Sequence, residues 1–178
     1  MKYLLTDQET ERLRFRLLQD NDFDEWTNLF KEDHVAEFLG LDPKLSPSQL
    51  CQAWYDKTNN RYDKQLGGMN VLIDKKTHRF VGQSGLLVQN IDNEERLEVG
   101  YSILPEFWKQ GYAYEAALKC KNYAFENSFA DSLVSVIHFD NIGSEKVALK
   151  NGMIFEKITD EVFNVFSITK QVWMDQKR

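Results

Sequence analysis

Leu97-Glu98-Val99-Gly100-Tyr101-Ser102-Ile103-Leu104-Pro105, followed closely by Trp108-Lys109-Gln110-Gly111-Tyr112-Ala113, is the stretch that decides the layout of this chain. Leu97, Val99, Tyr101 and Ile103 alternate with Glu98, Gly100 and Ser102, the period of a strand. One face is apolar, and the other carries a carboxylate, a glycine and a hydroxyl. Glycine weakens a strand interior, and a common reason for one is the close approach of a ligand or of another backbone. Beyond Pro105, Gly111 precedes Ala113, Ala117, Cys120 and Ala124, which mark one face of a long helix. Strand, glycine-bearing turn and helix bring free backbone N–H groups and the positive helix end to one place, a layout that suits phosphate. A plain strand-to-helix connection has the same appearance, so the stretch alone leaves the chemistry open.

Upstream, Phe80 to Gln89 and Asn70 to Asp74 read as two further strands, joined by a Lys75-Lys76-Thr77 turn, and an acidic turn at Asn90 to Glu95 leads into Arg96 to Leu104. These form an antiparallel meander. Leu13, Phe15 and Leu17 alternate with Arg12, Arg14 and Arg16, a half-buried first strand. Asp20 or Asp22 offers an N-cap for a helix through Trp26, Leu29 and Phe30. From Val35 to Gly67 a mostly helical pattern is interrupted by Pro43 and Pro47, with Ser46 or Ser48 capping Gln49 to Lys57. Downstream come a strand at Leu133 to His138, a short helix from Ser144 to Lys150 closed by Asn151-Gly152, and a last strand at Val162 to Val172. Phe163, Phe166 and Trp173 are expected on the buried side of that strand. This order of elements predicts a mixed α/β or α+β fold with a partly antiparallel sheet.

The chain has 178 residues, of which 42% are hydrophobic. That suits one domain with a core of its own, spanning residues 1–178. Asp and Glu number 28 against 22 Lys and Arg, a net charge of −6. Such a balance disfavours nucleic acid as a direct partner and permits a cationic substrate such as an amine. Cys51 and Cys120 stand in no CxxC or Cys/His metal spacing and are expected as reduced thiols, with no metal. The apolar run Tyr3 to Leu5 is too short for a signal segment, and no stretch approaches a membrane span. The expectation is a cytoplasmic protein without a membrane partner, a monomer or weak homodimer in the absence of any heptad pattern.

The run from Leu97 to Ala113, continued by Glu115-Ala116, resembles the acetyl-coenzyme A site of the GNAT superfamily of N-acetyltransferases, and within it the RimJ/RimL branch that includes ribosomal-protein N-terminal acetyltransferases. Thr10-Glu11-Arg12-Leu13 looks like that branch's opening strand, and Phe80-Val81-Gly82 with Gly85-Leu86 like its third. Asn141 and Ser144 resemble its Asn-x-x-Ser helix, and Lys150-Asn151-Gly152-Met153 its Lys-x-Gly-Phe end. The likeness covers nearly everything except Val35 to Gly67. Where the branch usually has Trp-Gly-Lys-Gly, this chain has Trp108-Lys109-Gln110-Gly111, and Tyr114 replaces a usual Thr.

The resemblance implies a mostly antiparallel sheet flanked by helices, with a splayed strand pair that holds acetyl-coenzyme A as cosubstrate. The pantetheine arm would lie beside the strand ending at Ile103. Trp108, Lys109, Gln110, Gly111, Tyr112 and Ala113 would form the pyrophosphate loop, and Asn141 would contact the arm near the thioester. The acceptor would be a small-molecule amine or a protein N-terminus. Glu98 is the candidate base, against an ordinary solvent-facing strand Glu. Ser144 is the candidate that protonates the leaving thiolate, against a residue of a first helical turn, and Asn141 could equally be that helix's N-cap. His138 ends the flanking strand and has the pKa range of a base, although a lone His there is more often structural. Trp54 and Tyr55 either wall the acceptor pocket or belong to the core. A different class of function stays open: a GNAT-like module that binds acyl-coenzyme A as a sensor without turnover.

Overall fold

The computed structural model describes residues 2–177. Among the described residues, seven strands form one sheet: β1 (Leu13–Arg16), β2 (Gly67–Asp74), β3 (Phe80–Ile91), β4 (Glu94–Ile103), β5 (Ser132–His138), β6 (Ile154–Thr159) and β7 (Phe163–Thr169). Their order across the sheet is β1-β2-β3-β4-β5-β7-β6. Every neighbouring pair is antiparallel except β4 and β5. The helices are α1 (Phe23–Thr27), α2 (Val35–Phe38), α3 (Pro47–Asp63), α4 (Tyr112–Glu126), α5 (Ile142–Lys150) and α6 (Lys170–Gln176). The expected mixed, mostly antiparallel sheet with flanking helices is what the chain forms.

Local chemistry accounts for most boundaries. Ser46 caps α3 by accepting from the Gln49 N–H, while the Gln49 side chain accepts from the Ser46 N–H, with Pro47 in the first turn. The β3–β4 hairpin turns on Asp92 and Asn93, both at positive φ (51° and 66°), as a tight two-residue turn requires. Asp22 does not cap α1 with its side chain. It accepts from the Gln19 N–H and pairs with Arg16 at 2.6 Å.

The end of the chain differs from expectation. Ile154–Thr159 is an additional strand, and β7 stops at Thr169, whose hydroxyl accepts from the Val172 N–H to start α6. Trp173 therefore lies on α6, its ring centre 5.3 Å from that of Phe125 of α4 with the planes tilted by 39°, and is not on the buried side of a strand. Alternation failed to mark β6 because its pairing with β7 is irregular between Phe155 and Lys157, and Ile154 and Ile158 stand 69% and 59% exposed at the sheet's edge.

The core lies between α3, the sheet and α4, with Trp26, Phe15, Leu13, Leu86 and Phe125 almost fully enclosed. Cys51 and Cys120 are both buried free thiols, and burial pushes the Cys120 thiol up to about 12.

One junction stands apart. The β4–β5 ladder contains only Leu97↔Leu133 and Glu98↔Val134, after which the strands diverge. Side chains take over where backbone pairing stops. The Ser135 hydroxyl, buried on β5, donates to the Val99 carbonyl at 2.8 Å, and the Glu98 carboxylate accepts from the Val136 N–H at 3.3 Å. Ser135→Ala leaves the Val99 carbonyl without this donor, and we expect urea denaturation to show a loss of about 1–3 kcal/mol. A loss below a few tenths would mean that the junction does not depend on this bond.

Candidate active site

Divergence of β4 from β5 opens the cleft. The Leu104 N–H donates to the Val81 carbonyl, so alternation along the antiparallel β3–β4 ladder turns the backbone groups of Tyr101 and Ile103 away from β3 and into the gap. The Ile103 carbonyl accepts from the Trp108 indole N–H at 2.6 Å. A cavity of about 1120 Å³ fills the gap and is lined by β4, β5, α3, the start of α4 and the first turns of α5. It exceeds the roughly 300–1,000 Å³ of a typical small-ligand pocket.

At one end lies the turn into α4. Gly111 is the N-cap of that helix at φ +85°, and only Arg12 Nη2, at 3.5 Å, lies near where a Cβ would stand, so conformation rather than crowding calls for glycine here. Lys109 is also left-handed, at φ +61°. Arg12 braces the turn from β1's approach. Its Nε meets Glu115 Oε2 at 2.6 Å, its Nη1 donates to the Gln110 carbonyl at 3.0 Å, and its guanidinium covers the Tyr112 ring at 4.1 Å. Glu115 also accepts from the Arg12 N–H and the Thr10 hydroxyl. Those donors outweigh the cost of partial burial and hold the Glu115 carboxyl below its ordinary range.

Two side chains of the turn are engaged within the protein. Gln110 Nε2 donates to the Glu106 carbonyl at 2.8 Å, and the buried Tyr112 hydroxyl donates to Asp74 at 2.9 Å. Lys109, Lys146 and Lys150 line the cavity, with the Lys150 ammonium 4.2 Å from the Tyr114 ring centre.

At the other end, Glu98 is buried within the sheet and lines the cavity. One carboxylate oxygen accepts from Gln89 Nε2 at 2.6 Å and the other from the Val136 N–H. Burial pushes its pKa above the ordinary carboxylate value, opposed by these two donors and by the nearby Arg61 and Lys57 cations. Glu98 is thus not a solvent-facing strand residue. Gly100 leaves room for protein side chains: a Cβ there would meet Leu87 Cδ1 at 2.8 Å and Met69 Sδ at 3.1 Å.

A family comparison adds a decisive observation, because the acetyltransferase (GNAT) domain matches residues 12–154. The chain belongs to the GNAT acetyltransferase family. Its relatives include YkkB of Bacillus subtilis strain 168, 32% identical over 150 residues that cover 83% of this chain and 85% of YkkB. Among solved structures, the acetyltransferase from Agrobacterium tumefaciens strain C58 has a TM-score of 0.75 at 24% identity, covering 90% of this chain and 92% of that one. The spermidine N-acetyltransferase from Vibrio cholerae, solved with CoA and spermine, has a TM-score of 0.70 at 15% identity, covering 93% and 99%.

In this GNAT domain Asn141 is the N-cap of α5, its side chain accepting from the Ser144 N–H at 3.1 Å, and both residues line the cavity. The Tyr101 hydroxyl crosses from β4 to the Ser144 carbonyl at 2.7 Å and ties α5 to the cleft. His138 sits among Phe38, Phe139 and Phe163, its Nδ1 3.3 Å from the Asp140 N–H, which supports a structural place for it. Trp54 lines the cavity and donates to Gln83 at 3.0 Å, whereas Tyr55 belongs to the core and donates to the Gln19 carbonyl.

Sequence reading missed Arg12 as a brace and Arg61 and Gln89 as neighbours of Glu98. Left-handed backbone costs a non-glycine residue roughly 1–2 kcal/mol, part of which glycine returns as unfolded-state entropy. Lys109→Gly should therefore raise stability by up to about 1 kcal/mol in urea denaturation, and a loss of stability would show that the Lys109 side chain holds the turn.

Proposed function

We propose that this protein is an acetyl-coenzyme A-dependent N-acetyltransferase of the RimJ/RimL type that acetylates a primary amine by direct attack in a ternary complex. The observation that carries the reading is the presence, in one cleft, of a buried carboxylate at the splay of β4 and β5 and of an open helix N-terminus at the far end. Residues 1–178 act in this reading as one domain.

The coenzyme's pyrophosphate lies against the backbone N–H groups from Lys109 to Ala113. Arg12 supports this reading by drawing the Gln110 carbonyl outward, which leaves N–H groups to face the anion. Gln110 and Tyr112 then contribute backbone, since their side chains are engaged elsewhere. Lys109 contributes its ammonium, and its strained φ is retained for that contact. The pantetheine arm runs along the cleft-facing backbone of Tyr101 and the Ile103 N–H as an added strand, beside Trp108, with Asn141 near the thioester.

Chemistry follows from placement. An ammonium has no lone pair, so Glu98, directly or through one water, takes its proton. The neutral amine attacks the thioester carbonyl, and the developing oxyanion needs an N–H donor from the unpaired stretch of β4. Collapse breaks the carbon–sulfur bond, and the Ser144 hydroxyl gives its proton to the departing thiolate while taking, directly or through water, the second proton that the amide nitrogen must lose. A pKa raised by burial suits Glu98 to the task, because a base works best when its proton affinity approaches that of the working pH. The acceptor class spans protein N-termini and small amines. The Vibrio cholerae relative of this fold acts on spermidine, which supports testing polyamines first.

Two measurements test the reading. Gly111→Asp puts a carboxylate where the anion belongs, and calorimetry should show coenzyme A affinity lost with the fold intact, while Lys109→Gly should weaken it about tenfold. With spermidine, an alanine-initiated peptide and an amino sugar as acceptors, thiol release should fall roughly 10²–10⁴-fold in Glu98→Gln. That loss should shrink as pH rises and the amine loses its proton unaided, whereas Ser144→Ala should lose rate at every pH. Coenzyme binding with no thiol release for any amine would instead favour a non-catalytic acyl-coenzyme A sensor.

A further inference from the structure

We propose that Arg61 and Gln89 are positioning residues that form a relay from α3 through β3 and set the proton affinity of Glu98 by fixing which end of the Gln89 amide faces it. The assignment of Glu98 as the base belongs to the reading above, and the relay gives that base its regulation.

The geometry is a chain of directed bonds. Arg61 Nη1 donates to the Val88 carbonyl at 2.9 Å, which anchors the guanidinium on β3. Its Nη2 donates to Gln89 Oε1 at 2.7 Å, and Gln89 Nε2 donates to Glu98 Oε2 at 2.6 Å. The remaining Glu98 oxygen accepts from the Val136 N–H on β5 at 3.3 Å. Four elements are thereby joined through one carboxylate.

Direction is what matters. An amide has a donor end and an acceptor end, and a guanidinium has only donors and stays charged at any working pH. If Gln89 turned over, its NH2 would face the Arg61 N–H groups and its carbonyl would face the carboxylate, so both contacts would become repulsive. Arg61 therefore admits a single orientation, in which Gln89 offers Glu98 a donor. A donor stabilises the ionised acid, whereas a carbonyl in its place would stabilise the protonated one.

The balance around Glu98 is otherwise tilted toward the proton. The residue is 9% exposed, and loss of hydration disfavours its charge. The charged groups that face it are Lys57 and Arg61, both from α3. Its own strand contributes the buried Tyr101 hydroxyl, held neutral because burial and the Glu98 charge push its pKa up. β5 contributes a backbone N–H. Lys57 remains in contact with solvent, so its field is screened. The short bond from Gln89 is thus the nearest fixed influence on the carboxyl. A group that merely filled space between α3 and β4 would have no need of a directed amide.

The test reads the carboxyl itself. Protein carrying ¹³C at glutamate side-chain carboxyls is titrated by NMR, and the Glu98 resonance is identified by its disappearance in Glu98→Gln. Gln89→Met keeps the bulk and removes the donor, and we expect the Glu98 midpoint to rise by about one pH unit or more. Arg61→Met should raise it as well. In the Gln89→Met background, Arg61→Met should raise it less than in the wild type, because no amide then remains to orient. An unmoved midpoint in Gln89→Met, or equal Arg61→Met shifts in both backgrounds, overturns the relay. Because no turnover enters this measurement, its failure is separate from failure of the base assignment, which the activity of Glu98→Gln decides.

Discussion

A parallel strand pair that separates after two residue pairs leaves a row of backbone donors and acceptors with nothing to meet, and the rest of this structure is arranged around that gap. Leaving a buried polar group unmatched costs about 1–3 kcal/mol. Ser135 meets Val99, Glu98 meets Val136, and the Trp108 indole meets Ile103. Each of these bonds crosses from side chain to backbone, so the gap keeps its width instead of closing by register slip. The groups on Tyr101 and the Ile103 N–H still face the cleft, and a strand-like ligand arm has a template there.

The second constraint is the start of α4. A helix N-terminus attracts an anion only if its N–H groups point outward and its first carbonyls do not crowd the same space. Arg12 meets this need by holding Gln110's carbonyl, and Glu115 neutralises the arginine so that the brace adds no free charge beside the loop. The chain is acidic overall at −6. Even so, Lys109 in the turn and Lys150 beside Tyr114 stand near the start of α4. Net charge thus says little about the field within a site a few ångströms wide, where the nearest ionised groups dominate.

How much of this was legible in the sequence depended on distance along the chain. The strand from Leu97 to Ile103, the Gly111 turn and α4 are consecutive, and their periods and turn chemistry are local, so these elements were legible. The Arg12–Glu115 brace joins residues 103 positions apart, and Arg61 reaches Gln89 across 28, which no period reveals. Gly100 suggested the approach of a ligand, but the space belongs to Leu87 and Met69, since a glycine signals room and not what fills it. At the end of the chain, an exposed and irregular β6 hid its alternation, and a single threonine cap turned what read as one long strand into β7 and α6.

Part of the cavity's lining comes from segments outside the sheet and the turn at Gly111. α2 and α3 contribute Val35, Phe38, Trp54 and Arg61, while the β6–β7 turn contributes Thr159 and Asp160. These segments connect to the sheet without entering the turn at Gly111, so this part of the lining can change while the turn stays fixed. The same placement bears on proton transfer. Arg61 and, more weakly because solvent screens it, Lys57 lie close enough to Glu98 to act on its carboxyl, and their positive field acts in the same sense on an amine brought beside it. An ammonium in that field is disfavoured relative to the neutral amine. In the proposed reaction the same field lowers the proton affinity of Glu98 as well, so it is the burial of that carboxylate, which raises its affinity, that favours transfer to it.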